Sequence, residues 1–450
     1  MTVVATRPLP TAPREYHFPS FERRTLANGL RLIVAPLHKL PIVTVRAVVD
    51  AGAIAESTGK DGVAHLVGHA LTEGAAGYDG EALTEQLERL GTSIDVDIDW
   101  DSTTLSMTAL SSVFSAAFSQ FADVLTAPTF PEASLERLKA ERIAEILQVQ
   151  SEPRELANEQ FERFLYRDGS RFEIALGGSQ GSVAALTRED VVEFYTHRYT
   201  PKSVTLIFTG DISADAAEQL VTETLDAWSG VTPASVIAND APANTTCAVH
   251  IVHRSDAPQS ELRIGHVGVP RRHRDYFPIT VMNAIFGGLF GSRVNLNLRE
   301  AHGYTYGASS VFDWRKDAGP FVVSTAVASG VTAPAIREVL LEIDRMRAEL
   351  VSEQELSLAT AYLDGVFPIR FETSSAVAIA LESLVVFGLE DDWYDRYRTQ
   401  IRAVTREDVL RVAQAHLDPT MLQLTIVGDA AAIREPVEAL HLGPVDVHND

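Results

Sequence analysis

The sequence predicts an α+β chain built from two duplicated α/β domains, each a mixed sheet with helices packed on it. Two observations carry this. The 450 residues are 46% apolar, enough for large buried cores and more than one domain. The chain also repeats itself. "LTREDVVEFYTHRYTPKSVTLIFTGD" (186–211) aligns without a gap on "VTREDVLRVAQAHLDPTMLQLTIVGD" (404–429), so that Thr187 meets Thr405, Pro201 meets Pro419 and Asp211 meets Asp429, each 218 residues on. Each copy reads as a Thr-capped helix, a Pro-marked turn, a β-branched strand and Gly-Asp. A shared T-R-E-D alone is an ordinary helix start; one register held through helix, turn and strand argues duplication.

In chain order, the three prolines before Tyr16 suggest an extended arm, and no basic start followed by an apolar run marks a secretory signal. "GLRLIVAPLHKLPIVTVRAVVDAG" (29–52) reads as strand, turn, strand, as does "AVHIVHRSDAPQSELRIGHVGVP" (248–270). Helices are expected over 111–128 and its counterpart 332–349, and a long one over 130–153, opened by Pro131. These boundaries give a first domain over 1–228, a linker over 229–246 rich in Pro, Ser, Asn and Gly, and a second domain over 247–450. The apolar stretch 374–389 contains Glu382 and is too short to span a bilayer. A net charge of -23 disfavours nucleic acid and anionic membrane as partners. The single cysteine, Cys247, forms no internal disulfide and demands no oxidising compartment. The expectation is a cytoplasmic protein.

The chemistry-bearing stretch is "HLVGHALTEG" (65–74), with His65 and His69 four apart. Imidazoles at i and i+4 share a helical face and can hold a metal, although thirteen histidines also produce such pairs by chance. The inverted zinc-peptidase signature H-x-x-E-H has this spacing, and its Glu is the general base. Here Gly68 stands in that place. Glu73, five residues on, is on the wrong face to replace it. A third ligand would come from elsewhere, and the 130–153 helix carries Glu136, Glu141 and Glu145. Adding 218 to the two histidines gives Asn283 and Gly287, so only the first half has them.

Taken together, "LANGLRLIVAP" (26–36), "GKDGVAHLVGHALTEG" (59–74), "AEILQVQSEP" (144–153) and "FGGLFGSRVNLNLREAHGYTYGASS" (286–310) resemble the pitrilysin-like (M16) zinc peptidases, which include mitochondrial processing peptidase. The resemblance covers nearly the whole chain, duplication included. It implies the pitrilysin fold and makes His65, His69 and Glu145 the zinc ligands, with Gly68 at the lost base. It maps the family's Arg/Tyr pair onto Arg299 and Tyr306, where a cation and a phenol O–H stabilise a developing oxyanion. Unaided by the resemblance, the same two residues read as a locally paired Arg and a half-buried Tyr. Gly287, Gly288 and Gly291 let the backbone approach a bound peptide or partner, or simply form a tight turn. A second departure is Leu138, where many members have another Glu.

With ligands retained and base absent, a rate loss on the order of 10²–10⁴ is expected. The resemblance therefore implies a non-hydrolytic subunit of a heterodimeric zinc peptidase that supplies Arg299 and Tyr306 in trans. Its partner would be a sister subunit with an intact H-x-x-E-H, its substrates peptides, and its cofactor zinc, held here or by the partner alone. Two other readings stand beside it: a scaffold of the same fold without a peptidase role, and an active homodimer with a substitute base.

Overall fold

The computed structural model describes residues 15–234, 236 and 238–449; the arm expected ahead of Glu15 lies outside them. The first half contributes strands β1 (Glu22–Thr25), β2 (Arg31–Pro36), β3 (Ile42–Val49), β4 (Ile94–Ile98), β5 (Thr103–Leu110) and β6 (Val204–Gly210). The second contributes β7 (Ala248–His253), β8 (Gln259–Val267), β9 (Ala308–Phe312), β10 (Pro320–Ala328), β11 (Gln423–Gly428) and β12 (Val445–Asn449). The sheets run β1-β2-β6-β3-β5-β4 and β12-β7-β11-β8-β10-β9, the same order of duplicated strands. Val45 lies opposite Phe208 and Met107, and Leu262 lies opposite Ile426 and Thr325. Only the outer edge differs: β1 runs antiparallel to β2, whereas β12 comes from the chain's far end and runs parallel to β7. The strand pairs β4/β5 and β9/β10 were not among the expected elements.

The helices used below are α1 (Val63–Ala70), α2 (Phe114–Thr126), α3 (Glu132–Ser151), α4 (Pro153–Leu165), α5 (Tyr276–Asn283), α6 (Ser374–Val386) and α7 (Arg406–His416). The long helix expected over 130–153 ends at Ser151, and Pro153 starts α4 at a first-turn position where its missing N–H costs nothing.

Two of these helices cross between the halves. The apolar residues of the first sheet point both ways, as period-2 strands require. Leu32, Val34, Val45 and Phe208 face the helices of their own half, α1 and α2 among them. Ile33, Ala35, Val48 and Ile207 face Val377, Leu381 and Leu384 of α6, from the other half. Reciprocally, Leu156 and Ala157 of α4 pack on Val252 and Val427 of the second sheet. Glu382 sits in this interface: Arg46 Nε donates to its carboxylate at 2.6 Å and Thr104 Oγ1 donates to the other oxygen at 2.6 Å. The linker is docked beside α4, with Arg167 N–H donating to Ala241 O and Ala243 N–H to Leu165 O. Among the described residues no helix is long and apolar enough to cross a membrane.

Candidate functional site

Helix α1 has no capping side chain of its own. Its first N–H groups, Gly62 and Ala64, donate to the Glu56 carboxylate at 3.1 and 2.9 Å, and Arg171 Nε holds that carboxylate at 2.7 Å. This buried pair fixes where α1 begins and hence where its histidines point. His65 and His69 lie one turn apart, ring centroids 4.4 Å from each other. Burial pushes the His65 imidazole down to about 3, with the charges of His69 and Arg142 adding to it. Desolvation lowers His69 as well. Both are thus neutral at pH 7, the form that ligates a metal.

The third expected ligand does not join them. Glu145 on α3 is exposed and accepts from Arg142 Nη1 at 3.1 Å, while Arg142 Nε donates to Gly177 O. Among the described residues, one trio of His, Cys, Asp or Glu brings its ligand atoms within 4.8 Å of one another, and it is not His65, His69 and Glu145. The Glu145 charge nevertheless reaches His69, where it opposes the effect of burial, so two neutral imidazoles and this carboxylate are donor types that zinc takes, without being gathered into one set here. The other acids are engaged too: Arg137 bridges Glu73 at 2.6 Å and Glu141 at 2.8 Å, and Lys139 pairs with Glu136 at 3.0 Å. Leu138 packs against the core of the first half.

Gly68 is more than a missing carboxylate. A Cβ there would lie 2.7 Å from both Cδ1 and Cγ1 of Ile98 and 3.4 Å from Cγ1 of Val96. These side chains come from edge strand β4 and pack against α1 at the place where a base would stand. In the second half the counterpart of His69, not of Gly68, is a close-approach glycine. Gly287, at 69 plus 218, lets the backbone approach β9, since its Cβ would meet Ser310 Oγ at 2.4 Å. Asn283, the counterpart of His65, donates to Ser310 O at 3.1 Å and accepts from Ser310 Oγ at 2.6 Å. What is a histidine in one half is a staple for the edge strand in the other.

Gly287 therefore serves contact between its helical segment and β9, and Gly288 is likewise close to Asn283; of these three glycines, Gly291 alone has open space where a Cβ would go. Arg299 lies in a π-helical segment, Leu296–Ala301, and Gly287 and Gly288 lie in another, Ala284–Gly288. Such wide turns concentrate at functional sites. The Arg299 guanidinium stands 4.6 Å from the Phe290 ring centroid, and its Nε is 3.5 Å from Glu300. Tyr306 is 94% exposed, against the half-buried ring of the alternative reading. Its loop is nevertheless anchored: Thr325 Oγ1 donates to Thr305 Oγ1 at 3.0 Å and reaches Gly307 O at 3.1 Å. Gly287, Gly288, Phe290 and Tyr306 border a cleft of about 580 Å³. Sequence reasoning missed Phe290, whose only signal was an aromatic residue among glycines.

The comparisons with known proteins agree with this architecture. The family description "Insulinase (Peptidase family M16)" matches residues 33–176, and "Peptidase M16 inactive domain" matches residues 185–363. The chain belongs to the M16, pitrilysin-like peptidase family. Among M16 relatives, an uncharacterized zinc protease of Rickettsia felis is 23% identical over 350 residues, 76% of this chain and 82% of that one. A probable mitochondrial-processing peptidase subunit beta of Arabidopsis thaliana is 22% identical over 415 residues, 90% of this chain and 77% of that one. A solved structure of a peptidase M16 inactive domain from Pseudomonas fluorescens superposes with TM-score 0.85 at 24% identity, covering 91% of this chain and 98% of that one. At that identity the likeness speaks to fold.

Proposed function

We propose that this M16 chain is a non-hydrolytic subunit of a two-chain zinc peptidase, lending Arg299 and Tyr306 to a sister subunit that carries an intact H-x-x-E-H. The observation that carries this reading is the contrast between the two halves. The base position at Gly68 carries no carboxylate and has Ile98 packed against it, whereas the exposed Tyr306 stands on an anchored loop, its hydroxyl without a hydrogen bond among the described residues. Zinc is held by the partner's intact motif; Glu145, in an exposed pair with Arg142, gives the first half of this chain the weaker claim on it. The relative named as a processing-peptidase subunit supports a division of labour within the family. Peptides are the substrates, read by the partner's metal centre and by this chain's second half together. With a net charge of -23 and a single cysteine, the reading places the complex in the cytoplasm, away from nucleic acid.

In this mechanism the chain's own residues bind and polarise. Arg299, held over Phe290, offers a fixed cation, and Tyr306 an O–H donor, to a carbonyl oxygen as it gains charge. The chain supplies no acid–base group. The test is reconstitution. Neither this chain nor the sister alone is expected to cleave a peptide at an appreciable rate, while the mixture cleaves and co-elutes as one species. Turnover by this chain alone, abolished by chelator and by His65→Ala, would establish the homodimeric enzyme instead.

A further inference from the structure

Among the described residues, the one trio of metal-ligating side chains brought together lies in the second half, away from the features above. His273 and Asp275 occupy the turn that leads into α5, and His416 is the last residue of α7. Their ligand atoms all lie within 4.8 Å of one another. His416 Nε2 is 3.1 Å from Asp275 Oδ2, His273 Nδ1 is 4.0 Å from the same oxygen, and the two rings meet edge to face at 5.0 Å. All three side chains are largely withdrawn from water, at 27%, 10% and 14% exposure for His273, Asp275 and His416.

Asp275 is the residue that should cap α5, yet its carboxylate takes no hydrogen bond from that helix. It turns instead toward α7, where Arg411 Nη1 holds Oδ1 at 3.0 Å and leaves Oδ2 to the imidazoles. A carboxylate pinned through one oxygen, with the other facing two imidazoles, is how metal sites are commonly oriented. The neighbouring charges are Arg411 and Arg274 on the cationic side, with Asp408 taking part of Arg411 at 3.5 Å. The Asp275 backbone N–H donates to His273 Nδ1 at 3.2 Å, which holds that ring beside the carboxylate.

We propose that His273, Asp275 and His416 form a binding site for a divalent first-row transition metal, Zn²⁺ in the first instance, that clamps the entry of α5 to the end of α7. Two nitrogens and one carboxylate oxygen, completed by water, suit zinc in tetrahedral geometry. The clamp is structural in its consequence. Helix α5 runs directly into the π-helical segment Ala284–Gly288 that carries Gly287 and Gly288.

The test uses the full chain with His65→Ala and His69→Ala, so that the first half contributes nothing, and it needs no peptidase activity. Co²⁺ is titrated and its visible absorption followed, then displaced with Zn²⁺, and the melting temperature is read with and without Zn²⁺. Expected are about one equivalent of tightly bound metal and a rise in melting temperature. Adding His416→Gln, which keeps a hydrogen bond to Asp275 but removes an imidazole, should weaken binding by more than the roughly 10–100-fold typical of losing an outer partner. His273→Ala should do the same, with circular dichroism showing the fold intact. No Co²⁺ absorption, or binding and thermal shift unchanged by both substitutions, would overturn the site and leave an Asp275–Arg411–His416 ion pair alone.

Discussion

At the scale of single residues, Gly68 decides the chemistry twice, by lacking a carboxylate and by admitting Ile98. A glycine inside a helix usually costs about 1 kcal/mol relative to Ala, so Gly68→Ala would ordinarily stabilise. Here the added methyl meets Ile98 at 2.7 Å. Overpacking of this kind costs typically about 1–3 kcal/mol. Gly68→Ala is therefore expected to lower the urea midpoint, with Ile98→Ala in the same chain recovering part of the loss. For the same reason Gly68→Glu alone should not produce a peptidase. A Gly68→Ala chain more stable than wild type would mean that β4 yields freely and that the base position is open after all. The missing Glu was legible in the sequence because a motif defines the position. The residue filling its place was not, because "IDVDI" is a short alternating run whose partner strand and depth under α1 are set only by tertiary packing. Likewise Glu145 was legible only through the family resemblance, and its exposed pair with Arg142, three residues earlier on α3, was not.

At the scale of elements, α6 shows why an apolar stretch with one acid is a core helix rather than a membrane span. Glu382 is 16% exposed and Arg46 10%, and they meet across two halves, 336 residues apart in sequence. Removing one member of such a pair strands the other charge, at a cost of about 3–5 kcal/mol, whereas replacing both with apolar residues is often neutral. Glu382→Ala should therefore destabilise strongly in urea unfolding, and Arg46→Met with Glu382→Leu should restore most of the loss. If the single and double substitutions are equally mild, the pair is not what seats α6 on β3 and β6. The stretch itself was legible as too short for a membrane span; the helix it forms starts after Thr373, whose side chain accepts from Ala376 N–H. Its destination was not, because β2, β3 and β6 are apolar on both faces and nothing local says which helix covers which.

At the scale of the whole molecule, the duplication was legible as a constant offset, and the strand order of the two sheets follows it. The exchange of α4 and α6 between the halves was not, and it makes the two sequence domains one packing unit. Its chemistry gives the interface a pH response. Phe164 of α4 stacks on His250 of β7 at 4.2 Å and on His448 of β12 at 4.5 Å. Desolvation lowers both histidines below the usual 6.5, with His448 opposing charge on His250, Arg163 opposing it on His448, and Asp446 acting the other way on both. A histidine with a lowered folded pKa binds fewer protons folded than unfolded, so stability falls as pH drops below about 6.5. Asp101, pushed up to about 6 by burial, works in the opposite sense. The measurement is therefore a comparison: between pH 7.5 and 5.5 the urea midpoint of a His250→Gln, His448→Asn chain should fall less than that of wild type, and equal falls would remove the cluster from the account. Tyr306→Phe deletes one exposed O–H and almost no packing, so the complex with the sister subunit should still form. Losing a donor aimed at a developing oxyanion costs about 10²–10³ in kcat with little change in substrate affinity. The measurement is kcat and KM of the mixed complex carrying Tyr306→Phe in this chain: kcat lower by about that factor at similar KM is the expected result, and a complex that assembles and cleaves at the wild-type rate would contradict it.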